Sequence, residues 1–282
     1  MNEYVNWGLI GYGKFGKKIE DSFSQNKYSK LLGIASKSFK SKIEENSKLQ
    51  KDKIFYQSYD NLINDKTIKS IYIATTNNLH KNLIILAAKN KKNIICEKPA
   101  CLNLKDFKEC LVEIKRNKIF FMEGLMYLHH PQIVKAIEII KSGEIGEIKK
   151  INSSFGYRIG KKLFFLELKK IDTKSRIFNP SLGGGAIYDL GCYPMTAAML
   201  FFNIVRSDNK VKNCKFRRND GRYGVDESAE AKLIFECGGE ANLKVSIRKD
   251  LENIIQIIGN KGEIKIPYPW KAPIDSNIEI RT

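Results

Sequence analysis

No stretch of the chain comes near the roughly 20 consecutive apolar residues that cross a bilayer as a helix, so no membrane-spanning segment is expected. Met1–Ile10 has neither a basic leader nor a small-residue cleavage site; it reads as the start of a fold, and a cytoplasmic protein is expected. A metal-binding pattern is missing as well. The six cysteines (Cys96, Cys101, Cys110, Cys192, Cys214, Cys237) form no CxxC pair, and only His80, His129 and His130 could join them. A structural zinc site needs four ligands at characteristic spacings. Free thiols in a reducing compartment, and no metal, are therefore expected. Arginine is scarce: Lys outnumbers Arg 40 to 9, whereas proteins that read phosphates or bases lean on the guanidinium fork. No internal repeat and no low-complexity linker interrupts the chain.

What is plentiful is lysine. A formal net charge of +18 raises nucleic acid or a membrane surface as partners, but its distribution argues against both. Residues 1–125 carry 23 basic and 13 acidic side chains, residues 126–282 carry 26 and 18, and like charges run only to doublets such as Lys17-Lys18, Lys91-Lys92 and Arg217-Arg218. Such an even spread is a solvated coat, so no nucleic-acid or membrane partner is expected. The field still helps to gather an anionic cofactor or a phosphorylated substrate. With 43% hydrophobic and 28% charged residues over 282 positions, wholesale disorder is excluded and two domains with separate cores are affordable in length.

Residues 1–125 alternate short apolar runs with helix-like segments. Strands are expected at Val5–Ile10, Leu31–Ala35, Lys53–Tyr56, Ser70–Ala74, Asn93–Cys96 and Ile119–Met122, with helices at Phe15–Ser24, Tyr59–Asn64, Leu79–Lys89 and Leu104–Arg116. Leu79, Leu83, Leu86 and Ala87 share one helical face, and Asn103 three residues before Asp106 marks a helix start. Apolar strands separated by helices imply a parallel sheet covered on both faces. Residues 126–282 differ. A helix at Pro131–Lys141, a strand at Ile145–Tyr157, an irregular stretch to Pro180 and a Gly-led helix at Gly185–Asn203 precede five β-rich runs: Val211–Arg218, Ser228–Phe235, Ala241–Ile247, Glu252–Ile258 and Glu263–Ile266. Turn signals between them suggest antiparallel pairing. The boundary falls near Glu123–Tyr127.

Gly11-Tyr12-Gly13-Lys14-Phe15-Gly16 follows the first strand and opens the first helix. In that context the first glycine allows a tight turn, the second lets backbone approach a pyrophosphate, and the third lets helix and strand pack closely. The second strand ends in Ala35-Ser36-Lys37-Ser38, without the carboxylate that holds the ribose 2′-OH of NAD. A hydroxyl and an ammonium suit a 2′-phosphate, so NADP(H) is preferred over NAD(H). The alternative is that Lys37 is one more coat lysine and NAD binds with less help.

Three further motifs follow in order: Ala74-Thr75-Thr76-Asn77-Asn78-Leu79-His80, Glu97-Lys98-Pro99-Ala100, and Asn179-Pro180-Ser181-Leu182-Gly183-Gly184-Gly185-Ala186-Ile187-Tyr188-Asp189-Leu190-Gly191-Cys192-Tyr193-Pro194. Together with the glycine loop they resemble the glucose–fructose oxidoreductase / inositol dehydrogenase / MocA family over about Val5 to Trp270. The likeness is greatest to the branch of dihydrodiol dehydrogenase and NADP-dependent xylose dehydrogenase. The resemblance implies a Rossmann doubly wound α/β domain over 1–125, followed by an α+β substrate-binding and dimerisation domain over 126–282 with a largely antiparallel open sheet.

It also implies roles. Thr75, Thr76, Asn77 and His80 fall near the nicotinamide half of the cofactor, although Asn77 read by itself is a helix cap and a lone His at a helix start is ordinarily a surface residue. Lys98 matches the lysine that hydrogen-bonds the reacting substrate oxygen; like-charge repulsion from a nicotinamide cation lowers a lysine pKa and favours proton exchange. Glu97 is carried over as a ribose and orientation contact. Asp189 orients the substrate, and Tyr193, four residues on, either relays the proton or packs against the cofactor while Lys98 works alone. The segment Glu123-Gly124-Leu125-Met126-Tyr127-Leu128-His129-His130-Pro131 resembles the branch's second-domain entry, with Leu128 where relatives usually carry Arg. Tyr127, His130, Arg158 and Arg176 are candidate substrate contacts. Relatives continue for several tens of residues past the equivalent of Trp270, so a shortened carboxyl end is expected.

The expectation is thus an NAD(P)-dependent oxidoreductase acting on a sugar, sugar derivative or polyol, homodimeric through an apolar open sheet face. The alternative is a non-catalytic nucleotide-binding sensor or scaffold.

Overall fold

The computed structural model describes residues 4–37, 53–160, 162–163, 166–167, 175–205 and 207–282. The chain divides into two compact units, Met1–Gly124 and Leu125–Thr282.

In the first unit, strands β1 (Val5–Ile10), β2 (Ser29–Ala35), β3 (Ile54–Tyr56), β4 (Ser70–Ile73), β5 (Asn93–Cys96) and β6 (Phe121–Glu123) alternate with helices α1 (Lys14–Ser24), α2 (Tyr59–Asn64), α3 (Asn77–Lys89) and α4 (Leu104–Asn117). The sheet order is β3-β2-β1-β4-β5-β6, and every neighbouring pair is parallel. Strand order reverses between β1 and β4, the place where such sheets open a crevice at their carboxyl edge. Successive strand residues face opposite sides. Leu9 and Ile34 pack with Ile19 and Phe23 of α1, while Ile10, Ile71, Ile73 and Ile94 pack with Leu83, Ile84, Cys110 and Ile114 of α3 and α4. The sheet is covered on both faces, as its continuous apolar strands predict.

The α3 stripe is rotated from the one read in the sequence. Its buried residues are Asn77, His80, Leu83, Ile84, Ala87 and Ala88, an i, i+3, i+4, i+7 series that starts at His80. Leu79 and Leu86 flank it, half-buried. Asn103 does start α4, its Oδ1 accepting from the Asp106 N–H at 2.9 Å.

The second unit contains α5 (Pro131–Ser142), β7 (Ile148–Gly156), the short β8 (Lys162–Leu163) and β9 (Leu166–Glu167), and α6 (Cys192–Val205). Six more strands follow: β10 (Val211–Asp220), β11 (Asp226–Phe235), β12 (Glu240–Ser246), β13 (Ile254–Gly259), β14 (Glu263–Pro267) and β15 (Glu279–Arg281). Seven strands pair in the order β10-β11-β12-β7-β13-β14-β15. All neighbours are antiparallel except β12 and β7. β7 comes from far earlier in the chain, so no tight hairpin dictates its direction. Its strand starts later than the pattern suggests because Gly146, at φ +70°, turns the chain. β15 escapes sequence reading because three residues show no alternation. Part of the stretch expected to be irregular, residues 161, 164–165 and 168–174, lies outside the described residues.

Ile151, Phe155, Leu233, Phe235, Ile255 and Ile257 form a core with Ile133, Ala136 and Ile140 of α5 and Ala197 and Phe201 of α6. The other face of this sheet is polar, which corrects the expectation of an apolar open face. Asn152 donates to Gln256 at 3.0 Å and accepts from Asn242 at 3.0 Å. Lys232–Glu240 (2.8 Å) and Lys244–Glu230 (3.5 Å) extend the row. Short runs rich in β formers hid this alternation. Among the described residues, no helix is long and apolar enough to cross a membrane.

Candidate active site

The glycine loop is built from three different packing demands. Gly11 has φ +96°, and a Cβ there would stand 2.6 Å from the Ala74 carbonyl oxygen. A Cβ on Gly16 would stand 2.3 Å from the Gly11 carbonyl oxygen, so α1 can lie against its own entry loop only with glycine there. Gly13 is the reverse case: as N-cap of α1 it has nothing within 4 Å of a Cβ position. The first turn of α1 holds no acidic residue, and its exposed N–H groups and dipole face that open space. This arrangement fits a dinucleotide pyrophosphate.

Lys14 is exposed and Phe15 half-buried. Tyr12 turns its ring inward onto Leu9, Leu31 and Ile34, and its hydroxyl donates to Glu20. Burial, with Glu20 beside it, pushes that phenol well above the usual tyrosine range. At the end of β2, Ser36 is buried and Lys37 exposed, and Ser38 lies outside the described residues.

At the next strand ends, Thr76 is the N-cap of α3 and Asn77 its first residue, which corrects the reading of Asn77 as the cap. His80, read as a surface residue when taken alone, is fully buried. Its Nδ1 lies 2.9 Å from the Pro99 carbonyl oxygen and its Nε2 3.3 Å from that of Thr75. Beyond β5, Glu97 accepts from the Tyr72 hydroxyl at 2.5 Å. Burial raises the Glu97 carboxyl, against the opposing pull of Tyr72 and the Lys98 ammonium. Lys98 is half-buried and precedes a cis peptide to Pro99. The Ala100 N–H donates to Glu123 Oε1 at 2.7 Å. These groups gather at the carboxyl ends of β4 and β5, next to the reversal of strand order.

The second unit holds its own polar cluster. Gly185 takes φ +109°, so the expected Gly-led helix begins only after it, as a π-helical turn over Ile187–Gly191 that runs into α6. Buried Asp226 accepts from the Ile187 N–H at 2.8 Å and so caps that turn. Asp189 sits within it, buried; Arg176 donates to its Oδ1 at 2.6 Å and Tyr157 to its Oδ2 at 2.7 Å. Burial first, and the Asp189 charge second, push the Tyr157 phenol well up. Tyr193 is buried among rings: Phe155 at 5.3 Å, Trp270 at 5.6 Å and Tyr127 at 5.8 Å between centroids.

The structure therefore joins Arg176 to Asp189. It gives Tyr127 to the core, with its hydroxyl 2.8 Å from Thr196 Oγ1. His130 caps α5, accepting from the Gln132 N–H at 3.3 Å. Arg158 is exposed, its backbone N–H on Asp250 at 3.0 Å. Three residues of these clusters went unread. Tyr72 and Tyr157 look like strand aromatics, and Glu123 was legible only as part of a quoted motif. Among the described residues, no group of three or more His, Cys, Asp or Glu could hold a metal ion.

Comparison with known proteins agrees with this layout. Residues 5–125 match the model of the GFO/IDH/MocA oxidoreductase family with an NAD-binding Rossmann fold, and residues 133–265 match the GFO/IDH/MocA C-terminal domain. The chain is 29% identical to trans-1,2-dihydrobenzene-1,2-diol dehydrogenase of Xenopus tropicalis over 77% of its own length and 61% of that protein's. It is 26% identical to D-xylose 1-dehydrogenase (NADP(+)) of Hypocrea jecorina, over 78% and 58%. A 3-ketoreductase from Actinomadura kijaniata, solved with NADP and a TDP-linked benzene, superposes with a TM-score of 0.82 at 20% identity, covering 99% of this chain and 81% of that one. The chain spans about three fifths of the length of the first curated relatives it matches. With both halves matched in sequence and fold, the chain belongs to the GFO/IDH/MocA oxidoreductase family.

Proposed function

We propose that the protein is an NADP(H)-dependent oxidoreductase that moves a hydride to or from a hydroxyl- or carbonyl-bearing carbon of a sugar, sugar derivative, polyol or related diol. One observation carries this: the open space over Gly13 at the N-terminus of α1, in a first turn without acidic residues. NADP(H) is favoured by Ser36 and Lys37 standing where NAD binders keep a carboxylate. The similar xylose dehydrogenase is an NADP(+) enzyme and the similar ketoreductase was solved with NADP, which points the same way. Bound, the cofactor supplies or accepts the hydride.

The protein's part is position and proton. Residues 11–16 hold the pyrophosphate, and Thr75, Thr76, Asn77 and Glu97 belong to the cofactor's nicotinamide side. Lys98 exchanges the proton at the reacting oxygen. Asp189, fixed by Arg176 and Tyr157, orients a substrate hydroxyl. Tyr193 either relays the proton or serves as packing, and Tyr193→Phe separates the two: a fall in kcat as deep as that of Lys98→Ala assigns the relay. A homodimer through the open sheet face belongs to this reading on family grounds alone, and a monomeric mass by light scattering removes it.

The test is a fluorescence titration with NADPH and NADH side by side, followed by a turnover screen over aldoses, polyols and dihydrodiols. Saturable binding with NADPH tighter by about tenfold or more is expected, the effect of roughly one charge-assisted contact. Tighter NADH discards the role of Ser36 and Lys37. Folded protein that binds neither sinks the enzyme reading. Binding without turnover of any of these substrates favours the alternative, a nucleotide-binding sensor or scaffold.

A further inference from the structure

We propose that the peptide group joining Pro99 to Ala100 is clamped at both of its poles to position Lys98, which makes His80 and Glu123 positioning residues for proton transfer. The proposal rests on the reading of Lys98 as the proton carrier.

The Pro99 carbonyl and the Ala100 N–H belong to one peptide unit. His80 Nδ1 meets the carbonyl at 2.9 Å, and Glu123 Oε1 takes the N–H at 2.7 Å. The two side chains come from different elements: His80 from the buried stripe of α3, and Glu123 from β6, where it is paired in register with Cys96 at the end of β5. His80 is itself fixed by full burial in that stripe, with its Nε2 3.3 Å from the Thr75 carbonyl oxygen. On the other side of Lys98, the Glu97 N–H donates to Ile73 at 2.9 Å and its carboxylate accepts from Tyr72. The backbone is thus tied immediately before and after Lys98.

Loop peptides ordinarily satisfy their polar groups with water, and rotate accordingly. Here a fully buried imidazole and a carboxylate do that work, and together they fix the direction in which the Lys98 side chain leaves the loop. Proton transfer needs the donor within hydrogen-bond reach and within roughly 10–20° of the productive angle. A long, flexible lysine on an untied loop does not meet that demand. With the Nδ1–H tautomer donating to the Pro99 carbonyl at 2.9 Å, His80 acts by holding the loop.

The experiment compares Glu123→Ala with Glu123→Gln, which keeps an acceptor oxygen for the Ala100 N–H. Three quantities are read: hydrogen exchange of the Ala100 amide, the NADPH dissociation constant, and kcat apart from KM. Glu123→Ala is expected to speed Ala100 exchange about tenfold or more, the scale set by one charge-assisted hydrogen bond. It should lower kcat by about 10- to 100-fold, as small misplacements at a reacting centre do, while NADPH affinity and KM hold within about threefold. Glu123→Gln should return exchange and kcat most of the way. Where Glu123→Ala does not fold, Glu123→Asp, one methylene too short for this reach, takes its place with the same pattern expected. Unchanged Ala100 exchange overturns the clamp. So does a kcat loss that Glu123→Gln fails to rescue, or a variant in which kcat, KM and NADPH affinity fall together. Should the wild type turn nothing over, the proposed function fails, and the clamp is decided by Ala100 exchange together with the NMR signal of 13C-methylated Lys98. A signal that stays as sharp in Glu123→Ala as in the wild type then overturns it.

Discussion

The guanidinium of Arg176 lies 2.6 Å from Oδ1 of Asp189, with the carboxylate nearly enclosed and the arginine 31% exposed at its side chain. An enclosed carboxylate stripped of its cation is costly, about 3–5 kcal/mol when both partners are fully buried. Solvent reaches Arg176, and Tyr157 still donates to the other oxygen, so Arg176→Leu should cost about 1–2 kcal/mol. Asp189→Asn in the same background should recover most of that loss, because no uncompensated charge is left. Urea denaturation of the two single variants and the double variant measures this. A double variant as unstable as the two single losses added would mean that the residues do not act as a pair.

Lys98→Ala should abolish turnover, by about 100-fold or more, the span that a positioned acid–base group supplies. NADPH binding should stay within about threefold, because the pyrophosphate cradle lies in a separate loop. Steady-state kinetics and fluorescence titration on one preparation give both numbers. Normal turnover in this variant would falsify the role given to Lys98.

Much of this was legible in the residues. The glycine loop, the parallel alternation and the position of Lys98 after β5 are local patterns, and local patterns survive folding. The second unit was less legible where distant segments meet. Nothing in the residues around Arg176 announces the carboxylate it reaches at Asp189, since their link runs through a glycine turn at φ +109°. The surface alternative for His80 failed, because its position completes the buried series of Leu83, Ile84 and Ala87. The polar row of Asn152, Asn242 and Gln256 was lost among apolar neighbours because each contributes a single position to its strand.

Glu97 provides a pH-dependent test. Burial holds its carboxyl above the ordinary value of 4.5. A carboxyl whose pKa is raised in the folded state binds more protons there than in the unfolded chain, so folding stability falls as pH climbs from about 4.5 through the folded value. Glu97→Gln keeps an acceptor for Tyr72 and has no charge to desolvate. The variant should match the wild type near pH 4 and be the more stable of the two at pH 7, while losing activity. Chemical denaturation at the two pH values checks this; an advantage larger at pH 4 than at pH 7 would show that the carboxylate is stabilised, not strained, by its site.

Two glycines of one loop should respond oppositely to the same added methyl. At Gly16 a Cβ would stand 2.3 Å from a backbone oxygen, and backbone cannot swing aside as a side chain can. Gly16→Ala should therefore destabilise the unliganded protein by about 2–4 kcal/mol, the range of severe overpacking. At Gly13 the φ of −81° is open to any residue, and nothing lies within 4 Å of the new methyl. Loss of a favoured cap and gain from a stiffer unfolded chain oppose each other there, so Gly13→Ala should stay within about 1 kcal/mol of the wild type. The methyl would, however, stand where the pyrophosphate has to approach, and NADPH affinity should fall about tenfold or more. Thermal unfolding with and without saturating NADPH separates the two effects, because ligand that binds only the folded state raises the midpoint in proportion to its affinity. Gly13→Ala should unfold like the wild type when unliganded and gain less from NADPH. A variant that gains as much as the wild type would show that the space over Gly13 does not receive the cofactor, and the observation that carries the proposed function would fall with it.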